Sequence, residues 1–322
     1  MPIWMLGVAV IAFAQPQSSV IRVPVRLVTV PTLVFSSDGR TVNGLTATDF
    51  RVLDEGRPQQ VAIDTEITPV SIALVVQANR EVREYVPFIA RTGALIDALI
   101  AGEGGESALL SCNDNVSLAK PFDFGDLSAS LKKVVPEGGS SHMLDAASRA
   151  IDLLKQRPAT RTRILLLIGQ PMDSGSETKL DALREAVERA DLTVFALALP
   201  MLGKAFVSDT FTLEGLSSKT DRGGFRAGTD LKHLVTVLDR AAAAQQSADP
   251  FSVLTAATGG TQIRFRKQNE LEGALAAIGV QVRSAYVLSF APDSATAGYH
   301  SITVEVRTPG AKVFARPGYW SR

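Results

Sequence analysis

The 322-residue chain has one cysteine, Cys112, and three histidines, His142, His233 and His300, far apart in sequence. A single thiol excludes an intramolecular disulfide and a cysteine-based metal site. With no histidine beside it in sequence, it gives no sign of a Cys–His nucleophile either, and its expected place is the interior of a strand. Excess charge is missing too: Lys plus Arg and Asp plus Glu each total 33, which leaves no basic footprint for nucleic acid or an anionic membrane. No G-x-S-x-G elbow occurs, and the adjacent pair Ser141-His142 at an expected helix start points in two directions, so His142 is not placed to serve Ser141 as a base. No enzyme is expected.

Long apolar runs are scarce. Met1–Ala14 is apolar and ends Ala12-Phe13-Ala14 before Gln15-Pro16, the small-x-small pattern of a secretory cleavage site. It is shorter than the about 20 residues a membrane helix needs, and nothing after it is longer. The expectation is an exported protein (periplasmic, cell-surface or extracellular) whose mature chain does not insert into a membrane. What is plentiful is aliphatic residue: 46% of the chain is hydrophobic but only 6% aromatic, a composition for a packed globule rather than a disordered chain.

Three regimes follow one another. Residues 20–66 read as short β-runs, with Asp38-Gly39 as a hairpin signal between apolar stretches. Residues 69–284 alternate strands with amphipathic helices, the signature of βα units on a mostly parallel sheet. Expected strands are Val70–Val76, Ala108–Cys112, Val116–Ala119, Arg163–Ile168, Thr193–Leu199 and Gln262–Phe265. Expected helices are Val86–Ile100, Leu144–Lys155, Leu180–Ala190, Leu231–Gln245 and Leu271–Val282. The unbroken apolar runs Ile72–Val76 and Ile164–Ile168 suit strands covered on both faces. Residues 285–322 return to β. Neither terminal segment holds enough strands for a sheet, so the two are expected to pair into one sandwich. Gly102-Glu103-Gly104-Gly105 follows a helix and precedes a strand, which makes it a helix-ending turn rather than a phosphate loop.

Four segments carry a family resemblance: Asp38–Val52 with Asp54-Glu55-Gly56-Arg57-Pro58-Gln59; Gly138-Gly139-Ser140-Ser141-His142-Met143-Leu144-Asp145-Ala146; Ala257-Thr258-Gly259-Gly260 before a β-run; and Tyr286-Val287-Leu288 with Arg316-Pro317-Gly318-Tyr319. In order and spacing the chain resembles the bacterial, acidobacterial-type VWFA-related exported proteins, which are built on the von Willebrand factor A (VWA) fold. The resemblance implies an α/β protein with a VWA-like doubly wound, mostly parallel sheet inserted into a small β-sandwich formed by both termini. It also implies a metal-ion-dependent adhesion site at the carboxyl ends of the central strands, where open α/β sheets place ligands.

In that family an Asp, two Ser, a distant Thr and a second Asp hold one divalent cation. Here Gln77 stands for the first Asp, Asn79 and Glu81 for the two Ser, Ser141 for the Thr and Gln170 for the second Asp. A hard cation is held by carboxylates and waters, and two amides offer dipoles only. No cofactor is therefore expected. If any weak Mg²⁺ or Ca²⁺ binding persists, Glu81 and Ser141 are its ligands. The expected function is protein–partner binding through the degenerate face: Gln77, Asn79, Arg80, Glu81, Arg83, Ser140, Ser141, His142, Gln170 and Asp173. Gly138–Ser141 opens a helix, so its amides are candidates to receive an anion, and the other reading, compatible with the first, makes a Ser of this segment the N-cap. The alternative is an envelope assembly component that binds through sandwich edge strands, its test a blocking proline within Val23–Val30.

Overall fold

The structure is a computed structural model that describes residues 27–37, 40–64, 68–201, 249–293 and 296–321. The expected leader Met1–Ala14, the Asp38-Gly39 turn and the helix Leu231–Gln245 lie outside the described residues.

Strands β1 (Val28–Phe35), β2 (Phe50–Asp54), β3 (Arg57–Gln59) and β4 (Ala62–Asp64) precede the central sheet, whose strands are β5 (Val70–Gln77), β6 (Glu106–Cys112), β7 (Val116–Asp123), β8 (Thr162–Gly169), β9 (Thr193–Ala198) and β10 (Gln262–Arg264). Its spatial order is β10-β9-β8-β5-β6-β7, parallel throughout except for the antiparallel edge strand β7. All eight residues of β5 are buried. The two-residue period of a strand explains why an unbroken apolar run is needed. Ile72, Leu74 and Val76 join Ile164, Leu166 and Ile168 on one face, while Ala73 and Val75 join Leu165 and Leu167 on the other.

Helices cover both faces. The first face packs on α1 (Val86–Ile89), α2 (Gly93–Ile96) and α3 (Leu127–Leu131). The second packs on α4 (Met143–Lys155) and α5 (Leu180–Arg189), and on α6 (Pro250–Thr258), while α7 (Gln268–Ser284) returns to the first. Helix α4 buries Leu144, Ala147, Ile151 and Leu154, the stripe its spacing predicts.

Two expectations change. The helix predicted over Val86–Ile100 is broken into α1, α2 and a wider π-turn at Asp97–Ala101. At the first break Thr92 turns its hydroxyl onto Ile89 O at 2.8 Å, competing with the helical ladder. Helix α6 was not expected, although its signals are present: Asp249 accepts from Ser252 N at 2.8 Å and Pro250 fills the first turn.

The last strands are β11 (Tyr286–Phe290), β12 (Gly298–Val306), β13 (Lys312–Ala315) and β14 (Gly318–Ser321). The terminal segments pair as expected, in two four-stranded sheets ordered β13-β1-β11-β4 and β14-β12-β2-β3. They share a core of Val28, Val30, Val34, Phe50, Val52, Leu288, Phe290, Ile302 and Tyr319. This part is tied to α5 through Trp320, whose Nε1–H donates to Glu188 Oε2 at 2.9 Å and whose ring lies 3.8 Å from the Arg189 guanidinium. Arg316 pairs with Asp191 beside it.

Candidate functional site

The chain runs from β5 outward to β6 and later returns to β8 on the other side of β5, so the strand order reverses between β5 and β8. Open α/β sheets bind ligands at such a reversal, outside the carboxyl ends of the strands. Gln77 ends β5 and Gln170 follows β8, which places both at the reversal.

Gln77 is wholly buried, Asn79 is 1% exposed and Gln170 2% exposed. Their amides bond one another. Gln77 Nε2 donates to Asn79 Oδ1 at 3.0 Å and to Gln170 Oε1 at 3.1 Å, and Gln77 Oε1 accepts from Gln170 N at 2.6 Å. Gln170 Nε2 donates to Pro200 O at 3.3 Å, carrying the link past β9. Both N–H bonds of the Gln77 amide are used. Gly169 makes the room: a Cβ there would lie 2.8 Å from Gln77 Oε1 and from Met143 Cε.

The donor set does not fit a divalent cation. Gln77 presents N–H groups where a metal would need oxygens, its own oxygen is spent on Gln170 N, and no carboxylate joins the circuit. Glu81 is exposed, on the one-turn 3₁₀ segment Arg80–Val82. Among the described residues no group of three His, Cys, Asp or Glu could hold a metal. Arg80 and Arg83 are exposed on the same rim.

The Gly138–Ser141 segment does not cap the helix as expected. Helix α4 starts at Met143, with His142 in the cap position and making no side-chain cap bond. The cap comes from the loop after β8: Asp173 Oδ1 accepts from Leu144 N at 3.0 Å and Ser176 Oγ from Asp145 N at 3.1 Å. Asp173 also accepts from Ser176 Oγ at 2.7 Å, so it is occupied in holding the loop. Asp145 accepts from Thr178 N and Oγ at 2.9 and 2.7 Å and from Glu177 N at 3.1 Å. Burial would raise its pKa, but these bonds together hold it below the usual carboxylate range.

The amides expected to receive an anion already have partners within the chain. Ser141 N donates to Ser174 O and Oγ at 3.1 and 2.9 Å. Gly139 N and Ser140 N donate to Asp114 Oδ1 at 3.0 and 2.8 Å, with Ser140 Oγ on the same oxygen. Sequence reasoning missed Asp114; its only signal was the Asn113-Asp114-Asn115 turn between two strands. Ser141 Oγ is buried with no hydrogen-bond partner in good geometry.

Neither Ser141 nor Cys112 is set up as a nucleophile. His142 Nδ1 faces Asp145 Oδ2 at 3.4 Å rather than Ser141. Burial first, and then the Asp173 charge, push the Cys112 thiol up to about 12, against a small opposing effect of Ser141, which makes it inert at neutral pH.

No family's sequence profile and no curated protein matches the chain. Solved structures do. A von Willebrand factor type A protein from Catenulispora acidiphila is 9% identical, with 94% of this chain and 76% of that one covered and a TM-score of 0.44. The conserved hypothetical protein BatB from Bacteroides thetaiotaomicron is 12% identical, with 66% and 99% covered and a TM-score of 0.43. Proximal thread matrix protein 1 from the mussel byssus, with a zinc-occupied MIDAS motif, is 9% identical, with 70% and 49% covered and a TM-score of 0.46. Independently of these, the central sheet's order and its helices on both faces are consistent with a VWA-like fold.

Proposed function

We propose that this chain is an exported protein-interaction module that captures a protein partner through the carboxyl-end face of its VWA-like sheet without a divalent cation. One observation supports the reading: Gln77, Asn79 and Gln170, which the resemblance aligns with metal ligands, are joined in a buried amide circuit. A partner therefore meets the rim. Arg80, Glu81 and Arg83 are exposed charged groups there, with half-buried His142 across the face. Export rests on the apolar stretch Met1–Ala14; among the described residues no helix is long and apolar enough to cross a membrane.

For the edge-strand alternative, β1 pairs with β11 over Val28–Thr32 and with β13 only over Thr32–Phe35, so the described part of the Val23–Val30 target is paired along one side in its sheet. Of the four sandwich edges, β3 and β4 are three residues each and β13 and β14 four, and β3 contains Pro58. Edge β7 of the central sheet carries Pro121 and an inward Lys120, 5% exposed, that donates to Ser107 O at 2.6 Å. These are features that oppose strand addition.

The test is capture from the native envelope fraction. The proposal expects capture to survive EDTA and to fail in Arg80→Glu/Arg83→Glu with folding intact. Capture that EDTA abolishes, or that the double reversal leaves untouched, contradicts it.

A further inference from the structure

In the sandwich, Asp54 of β2, His300 of β12 and Tyr319 of β14 are 4%, 6% and 5% exposed. Tyr319 stands opposite His300 in the β12–β14 ladder. Its ring stacks on the imidazole with centroids 5.1 Å apart, and its hydroxyl donates to Asp54 Oδ2 at 3.0 Å. The other carboxylate oxygen, Asp54 Oδ1, and the ring atom His300 Nδ1 have no hydrogen-bond partner, and they lie 3.7 Å apart.

The far side of the ring settles where one proton is. His300 Nε2 lies 2.9 Å from Thr296 O, and a carbonyl only accepts, so Nε2 carries a hydrogen. A neutral ring then turns a bare lone pair at Nδ1 toward a buried carboxylate oxygen that also lacks a donor, an arrangement costly to bury. A second proton removes the conflict: with Nδ1–H the two unpartnered atoms become one charge-assisted pair. The ionisable groups brought to the ring are Asp54 and Glu55 from β2 and Tyr319 from β14. Glu55 accepts from Ser301 N, and its carboxyl is held below the usual range by its bonds to Ser301 first and, to a smaller extent, by the His300 charge. Both carboxylates favour the charged ring.

We propose that the proton between His300 and Asp54 is a pH-operated latch on the last strand: the imidazolium form holds β14 in the sandwich, and its loss as pH rises releases β14 and the seam with α5. Tyr319 is the link, since it touches both partners and precedes Trp320, whose Nε1–H is bonded to Glu188 on α5. Strand β14 has four residues and lies at the edge of its sheet, paired with β12 alone. The sign follows from linkage: the stabilising form is the protonated one, so its contribution is present on the acid side of the His300 titration and lost above it. The latch is independent of what the carboxyl-end face of the central sheet binds.

The experiment follows the full chain between about pH 5 and 9. Long-range ¹H–¹⁵N spectra read the protons on the histidine rings, with His300 assigned by its loss in His300→Gln. Hydrogen exchange reads the protection of the Tyr319 and Trp320 amides, corrected for the intrinsic effect of pH. Both His300 nitrogens are expected to be protonated at the acid end. Protection of β14 is expected to fall at least about tenfold over the range in which Nδ1 loses its proton, while Leu166 in the central sheet keeps its protection. Asp54→Asn, whose amide accepts from Tyr319 and donates to a neutral ring, is expected to keep β14 protected at the basic end, and His300→Gln to show no fall. If one variant lacks a dispersed spectrum, the other carries the comparison. A ring that keeps one protonation state from end to end, or β14 protection that does not follow the Nδ1 proton, overturns the proposal.

Discussion

Replacing Gln77 with leucine removes the centre of the amide circuit while keeping roughly its volume. Three buried groups lose their partners: Gln170 N, Gln170 Oε1 and Asn79 Oδ1. An unsatisfied buried polar group costs about 1–3 kcal/mol, so the sum is about 3–9 kcal/mol before relaxation. The Asn79 and Gln170 side chains can rotate and pair partly with each other, whereas Gln170 N is fixed by the backbone. The net expectation is therefore a loss of about 3–5 kcal/mol, well above the about 1 kcal/mol of an average substitution. Urea unfolding reads it as a lower midpoint with an unchanged slope. Gln170→Leu and the double variant close a cycle, and because the two side chains share bonds their coupling is expected at about 1–3 kcal/mol. A loss under about 1 kcal/mol for Gln77→Leu, or additive single effects, refutes the circuit as a structural cross-link.

Asp173→Ala uncaps α4 from outside its own segment and is expected to cost about 1–2 kcal/mol in urea unfolding, with Asp173→Asn closer to wild type. The Asp114 carboxyl is depressed to about 2 by Ser140 Oγ and the Ser140 and Gly139 amides. Its contribution to stability is therefore present above its unfolded pKa and lost as pH falls through about 2; Asp114→Asn is expected to flatten that part of the acid unfolding curve, measured by circular dichroism between about pH 4 and 2. Cys112, buried and raised to about 12, is expected to resist a thiol-reactive disulfide reagent at pH 8 until denaturant is added, and rapid labelling of the native protein would contradict its placement.

Much of the sheet was legible because burial on both faces leaves a mark in sequence: Ile72–Val76 and Ile164–Ile168 have no polar alternation, and only a doubly covered strand tolerates that. Pairing between the terminal segments was also legible, since neither had strands enough alone. The break at Thr92 was not, because it falls inside an otherwise helical pattern and is marked only by one hydroxyl turning onto Ile89 O. At the site, the resemblance implied amides at positions 77 and 170 where the family carries carboxylates. It did not show that the replacing amides would bond each other across 93 residues of chain, which depends on the parallel pairing of β5 with β8. Asp114 was invisible for the same reason: its partners lie 25 and 26 residues on, brought close only by the β6–β7 turn.

The central claim proposed above is that the amide circuit takes the place of a cation. Calorimetric titration of the purified wild-type chain with Mg²⁺, Ca²⁺ and Mn²⁺ tests it most directly. The account predicts no saturable heat with any of the three, and micromolar binding of one of them, lost in Ser141→Ala, would contradict it.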